Sequence, residues 1–110
     1  MTDQYPNVMF AGTLSLVPTD EGGRKRAIRS GYRCQFRLDL ADYPGDWDAM
    51  LLFVNEVAPG SSSRAVIFTS GLHNEVWGSV QLPASIGLYE GPRRVGQFDA
   101  VVRYAPVVDA

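Results

Sequence analysis

Residues 33–40 read Arg-Cys-Gln-Phe-Arg-Leu-Asp-Leu, a strict alternation of polar and apolar side chains, and this period of two constrains the fold most. Successive side chains of an extended strand point to opposite faces. Cys34, Phe36, Leu38 and Leu40 therefore share one face, and Arg33, Gln35, Arg37 and Asp39 the other. The same period places Val8, Phe10, Leu14 and Leu16 together against Thr13 and Ser15, with Gly12 interrupting the apolar face as a bend or close backbone approach would. Residues 41–48, which contain Pro44-Gly45, read as a turn or short excursion. The nearly continuous apolar run 50–57, closed by Pro59-Gly60, is expected to be a strand. Residues 64–70 are β-branched and aromatic, and 75–82 set Val76, Val80 and Leu82 against Trp77, Ser79 and Gln81. Residues 86–89 and 95–104 flank a tight turn at Gly91-Pro92.

Prolines at 6, 18, 44, 59, 83, 92 and 106 all fall at strand edges or in loops, where a missing backbone donor does no harm. No window of helical length carries a clean apolar stripe. Six or seven short strands separated by turn signals indicate an all-β closed barrel or sandwich.

A length of 110 residues points to one domain, with short tails at 1–6 and 105–110. It is enough to bury a core without a metal or disulfide framework. Hydrophobic residues make up 45%, which places the chain among globular proteins. No apolar run reaches the ~20 residues of a membrane helix. Met1-Thr2-Asp3-Gln4 lacks the basic and apolar regions of a signal peptide, and one cysteine cannot form an internal disulfide. The expectation is a cytoplasmic protein with no membrane association.

Charge is unevenly placed. The net charge is −2, so the whole molecule does not attract nucleic acid. Yet residues 24–37 carry six cations and no acid, while 39–48 carry four acids and no cation. Opposed blocks of this kind either attract one another across a turn or offer a contact surface. The cationic block follows Asp20-Glu21-Gly22-Gly23, a glycine turn.

The string D-E-G-G-R, six residues, then G-Y-R-C-Q-F resembles the third domain of bacterial elongation factor Tu in motif and spacing. Three further features agree. Pro59-Gly60 in V-A-P-G-S stands where the family has V-M-P-G-D. Residues 90–96, E-G-P-R-R-V-G, are similar to the family's E-G-G-R-T-V-G hairpin. Asp42 falls at the register of an aspartate that follows the family's arginine strand. The resemblance spans residues 8–103 and implies a six-stranded closed antiparallel barrel of Greek-key type, as a stand-alone domain. Three departures stand out. Cys34 replaces a proline, Pro92 replaces the second hairpin glycine, and the segment between Ser70 and Leu82 is longer and different.

In that family the third domain packs on a GTPase domain and helps hold the T-stem backbone of aminoacyl-tRNA. The resemblance implies that Lys25 and Arg26 stand for loop residues approaching tRNA. Arg24, Arg33 and Gln35 stand near the GTPase-domain interface, and residues 91–96 lie on a nearby tRNA-facing edge. The candidate RNA-binding set is Arg24, Lys25, Arg26, Arg29, Arg93 and Arg94. The candidate protein-interface set is Tyr32, Arg33 and Gln35. Arginines and glycine-turn N–H groups suit phosphate, which gives affinity without base specificity. Both partner classes stay open: a tRNA or other RNA, or a GTPase, toxin or enzyme bound in trans by an adaptor or immunity-type protein. Self-association is a third option.

Catalysis is poorly served by these residues. The chain has no G-x-x-x-x-G-K-[ST] loop, so no bound nucleotide and no GTPase activity are expected. His73 is the sole histidine, which leaves no His/Cys metal cluster and no cofactor. Cys34 with His73 as nucleophile and base, and Asp46 with Asp48 around Trp47 as a carboxylate pair, are the enzyme-like combinations. The first puts a thiol on the buried strand face, and the second sets both acids in a turn. A non-catalytic binding module is the expectation.

Overall fold

A computed structural model describes residues 8–69 and 73–104; the two tails, Pro6 and Pro106 lie outside the described residues. Six strands close into an antiparallel barrel in the order β1-β4-β3-β2-β5-β6. They are β1 (Met9–Leu16), β2 (Tyr32–Arg37), β3 (Asp46–Leu52), β4 (Ser62–Phe68), β5 (Ala84–Glu90) and β6 (Arg93–Tyr104). Strands β2, β3 and β4 form a meander, and β1 returns beside β4, which is a Greek-key arrangement.

The period of two fills the barrel. Phe10, Leu14, Phe36, Leu51, Ile67, Leu88, Val95 and Phe98 are fully buried inside, while Thr13, Arg33, Gln35 and Arg64 face outward and are exposed. Strand β6 turns at β-bulges opposite Ala11/Gly12 and Leu88/Tyr89, which bend the long strand around both neighbours. Gly91 has φ +62°, the left-handed setting that the first central residue of a two-residue hairpin requires. Pro92 follows it at a position where no ladder bond is lost.

Four sequence expectations are corrected. The alternation of residues 33–40 stays a strand only as far as Arg37, after which Asp39 takes φ +54°. Residues 75–82 do not form a strand: Asn74–Gly78 is a short helix, α1. Val76, Trp77 and Val80 are all buried, a spacing of one and four that belongs to a helix. Trp77 closes one end of the barrel, with its ring centroid 5.9 Å from those of both Phe10 and Phe36. The strand expected over 50–57 instead ends at Leu52, leaving Val57 in an isolated bridge with Ile28. It also begins earlier, at Asp46, inside the stretch expected to be a turn.

Antiparallel closure sorts the loops between two ends. One end gathers Met9, Arg37, Asp46, Phe68, Ala84 and Tyr104, together with α1. The other gathers Leu16, Tyr32, Leu52, Ser62, Glu90 and Arg93.

Candidate functional site

The second end carries the cationic loop. Residues 24–29 follow a 3-10 turn at Thr19–Glu21 whose last residue leads into Gly22 at φ +96°. Gly23 is then pressed against the backbone, since a Cβ there would sit 2.0 Å from the carbonyl oxygen of Val17. Only glycine permits that approach, so Gly23 fixes where Arg24 leaves the barrel.

Arg24 does not project into solvent. Its guanidinium pairs with Glu90 of β5, donates from Nε to the Arg26 carbonyl at 3.3 Å, and lies 5.1 Å from the Tyr32 ring centroid. The Tyr32 hydroxyl donates to the same Glu90 oxygen. Glu90 thus joins the start of β2, the end of β5 and the basic loop. Burial raises the Tyr32 phenol above its ordinary range, and its bond to the Glu90 carboxylate adds to the rise. Burial likewise pushes the Cys34 thiol up to about 12, with the Glu90 charge acting in the same direction. A thiol held protonated in this way is no nucleophile. The His73 ring lies edge-on to Trp47 at 4.9 Å, where it is a packing partner.

Around this anchor, Lys25, Arg26 and Arg93 are exposed, and together with Arg24 and Glu90 they line an open recess of about 360 Å³. Residues 24–26 and Arg93 are far apart in sequence but meet because Glu90 and Arg93 are cross-strand partners in the β5–β6 hairpin. Arg29 and Arg94 do not line it. Arg29, with an 88% exposed side chain, lies 3.8 Å from Glu56. Arg94 donates to Gln97 and borders a separate hollow beside Ser15 and Leu16. Arg33 and Gln35 are exposed on the outer wall of β2, whereas Tyr32 is half-buried and spends its hydroxyl on Glu90.

Sequence reasoning missed Glu90 as the anchor of the loop, and weighed Asp46 only as a carboxylate partner of Asp48. Asp46 accepts two bonds from Arg37, at 2.9 and 3.2 Å, and the Arg37 guanidinium stacks 3.8 Å from the Tyr89 ring centroid. The opposing charge blocks were a signal for the Arg37–Asp46 pair; Glu90 gave none. Among the described residues, no group of three or more His, Cys, Asp or Glu is placed to hold a metal. No helix among them is long and apolar enough to cross a membrane. The first end of the barrel has a larger cleft, about 580 Å³, between residues 40–43 and 78–82. Arg103 closes its floor by donating to the Val80 carbonyl while lying over Phe10.

Elongation factor Tu 2 of Streptomyces avermitilis is 31% identical to this chain over 91 residues, which cover 83% of it. The chain is an elongation factor Tu homologue. It spans 22% of that relative's length, and the closed six-stranded barrel is consistent with the factor's third domain. No protein-family model matches the chain. Within the elongation factor Tu-like barrel, the D-E-G-G-R motif occupies the turn that seats Arg24 on Glu90, so part of the motif's chemistry is architectural.

Proposed function

We propose that this barrel is a non-catalytic binding module that holds the phosphate backbone of an RNA, of the tRNA class, in the recess formed by Lys25, Arg26 and Arg93. The observation that supports this reading most is the convergence of two cationic segments on one open hollow. Arg24 has a positioning role: Glu90 neutralises it, and it holds the loop so that Lys25 and Arg26 face outward. Arg29 and Arg94 lie outside the recess and are assigned no phosphate contact there.

Backbone contacts of this kind release counterions, so three of them give a salt slope near −2.7. Titration of labelled tRNA should therefore weaken roughly 50–100-fold as salt rises from about 50 to about 250 mM. A Lys25→Ala/Arg26→Ala double variant should lose about two-thirds of that slope. Identical curves for the two proteins, or no binding at low salt, would refute the reading. A protein-adaptor role through Arg33 and Gln35 is the second reading, favoured by their exposure on β2. It calls for an interface that tolerates salt and depends little on Lys25.

A further inference from the structure

The outer wall of β6, β1 and β4 carries an apolar patch that the cationic recess does not use. In register, Met9 lies between Tyr104 and Phe68, and Ala11 lies between Val102 and Val66. These six side chains alternate with the inward-facing Phe10 and Ile67, so they point away from the core. Tyr104 is 50% exposed and Val102 40%. The next row is polar: Thr13 lies between Asp99 of β6 and Arg64 of β4. Two uncharged rows bounded by a charged one form a docking surface.

The arrangement of the rows identifies what docks. A two-fold axis along β1 exchanges the β6 and β4 columns of two copies. Tyr104 then meets the partner's Phe68, Val102 meets the partner's Val66, and Asp99 meets the partner's Arg64. Each contact occurs twice, as an isologous interface requires. Among the described residues Arg64 makes no ion pair, and Asp99 accepts only a 2.9 Å bond from Gln97, so both charges can be used across the axis. Ala11 lies on the axis, and its small side chain lets the two β1 strands approach. The two apolar rows run on into β3, where Met50 pairs with Phe68 and Leu52 with Val66, so β6, β1 and β4 are the part of the patch that the charged row bounds.

We propose that the chain pairs with a second copy of itself through the β6–β1–β4 wall, with the axis along β1. Light scattering and sedimentation across a dilution series should show a monomer–dimer equilibrium. Ala11→Arg, which puts a charge on the axis, should weaken it at least about tenfold. Asp99→Arg and Arg64→Asp should each weaken it by a similar or smaller factor, because each places like charges opposite one another twice. Combining those two reversals should restore dimerisation to within about threefold of the starting protein. Thermal unfolding of each variant monitors the fold independently. A chain that stays monomeric at every concentration overturns the proposal and leaves the wall to a different protein. A dimer that ignores these substitutions, or a double reversal that fails to restore pairing, overturns it as well.

Discussion

Two triplets of arginine, carboxylate and tyrosine lie in this barrel, and they differ in what surrounds them. Arg24, Glu90 and Tyr32 tie a loop to two strands at the barrel's rim, with side-chain exposures of 24% for Arg24 and 34% for Glu90. Arg37, Asp46 and Tyr89 lie on the outer wall, where the arginine is 44% exposed. The same chemistry thus occurs in two dielectric settings. At the rim, desolvation moves the titration of neighbouring groups and makes each partner depend on the others. On the wall, water reaches the arginine more freely, although Asp46, at 24% exposed, is as covered as Arg24. The rim triplet is therefore the structural one, and it positions the loop that carries Lys25 and Arg26.

Alkaline pH should separate the two regions most sharply. The Cys34 thiol titrates near 9 in the unfolded chain but only at about 12 in the fold. The Tyr32 phenol, at 10.0 when unfolded, is raised further in the fold. Above each unfolded value the unfolded chain sheds a proton that the folded chain keeps, so stability falls as pH rises. The stabilisation is complete below about pH 9 for the thiol and about pH 10 for the phenol, and drains away above those values at up to about 1.4 kcal/mol per pH unit for each group. Urea midpoints measured from pH 7 to about pH 11 should decline in the parent protein. Cys34→Ala should delay that decline, and Tyr32→Phe should flatten its upper part. A midpoint constant across the range would mean that the rim is as wet as the wall.

Glu90→Gln is the next test in size. The amide keeps the shape of the side chain but leaves Arg24 half-buried without its counter-charge. A loss of about 1–2 kcal/mol is expected in urea unfolding, allowing for the partial exposure of both groups. The Cys34 thiol should also titrate at lower pH, followed by thiolate absorbance, because the Glu90 charge is its second cause after burial. Stability loss without movement of the thiol would break the electrostatic account of the rim and leave only a packing one.

Much of the barrel was legible because the strands obey local rules. The alternation Cys34-Gln35-Phe36-Arg37 states its own inward and outward faces, and Gly91-Pro92 marks its own hairpin. Strand β3 carried a usable signal too: Trp47, Ala49 and Leu51 alternate with Asp46, Asp48 and Met50. Pro44-Gly45 drew the reading towards a turn, and the outward acids looked like loop residues. Helix α1 was misread because Val76 and Val80 suit either period over so short a span; the buried Trp77 between them decides for the helix. The meeting of Arg24 with Glu90 could not be read at all. It spans 66 residues and exists only because closure brings the start of β2 beside the end of β5. The cationic string was legible as a surface, but which of its members is neutralised is a property of the closed barrel.

Arg37→Ala should have the smallest effect. Its Asp46 partner raises the affinity of the guanidinium for its proton, but arginine stays charged across the whole working range, so no pH dependence follows. The pair is bidentate and stacked on Tyr89, which favours order in the side chains. Exposed pairs nevertheless exchange one set of solvated contacts for another, and screening by salt weakens them further. The urea midpoint of Arg37→Ala should therefore stay close to that of the parent protein and well above that of Glu90→Gln. Added salt should narrow what difference there is. If Arg37→Ala proved as costly as Glu90→Gln, the distinction between rim and wall would fail, and the stacked Tyr89 would have to be counted as part of the core.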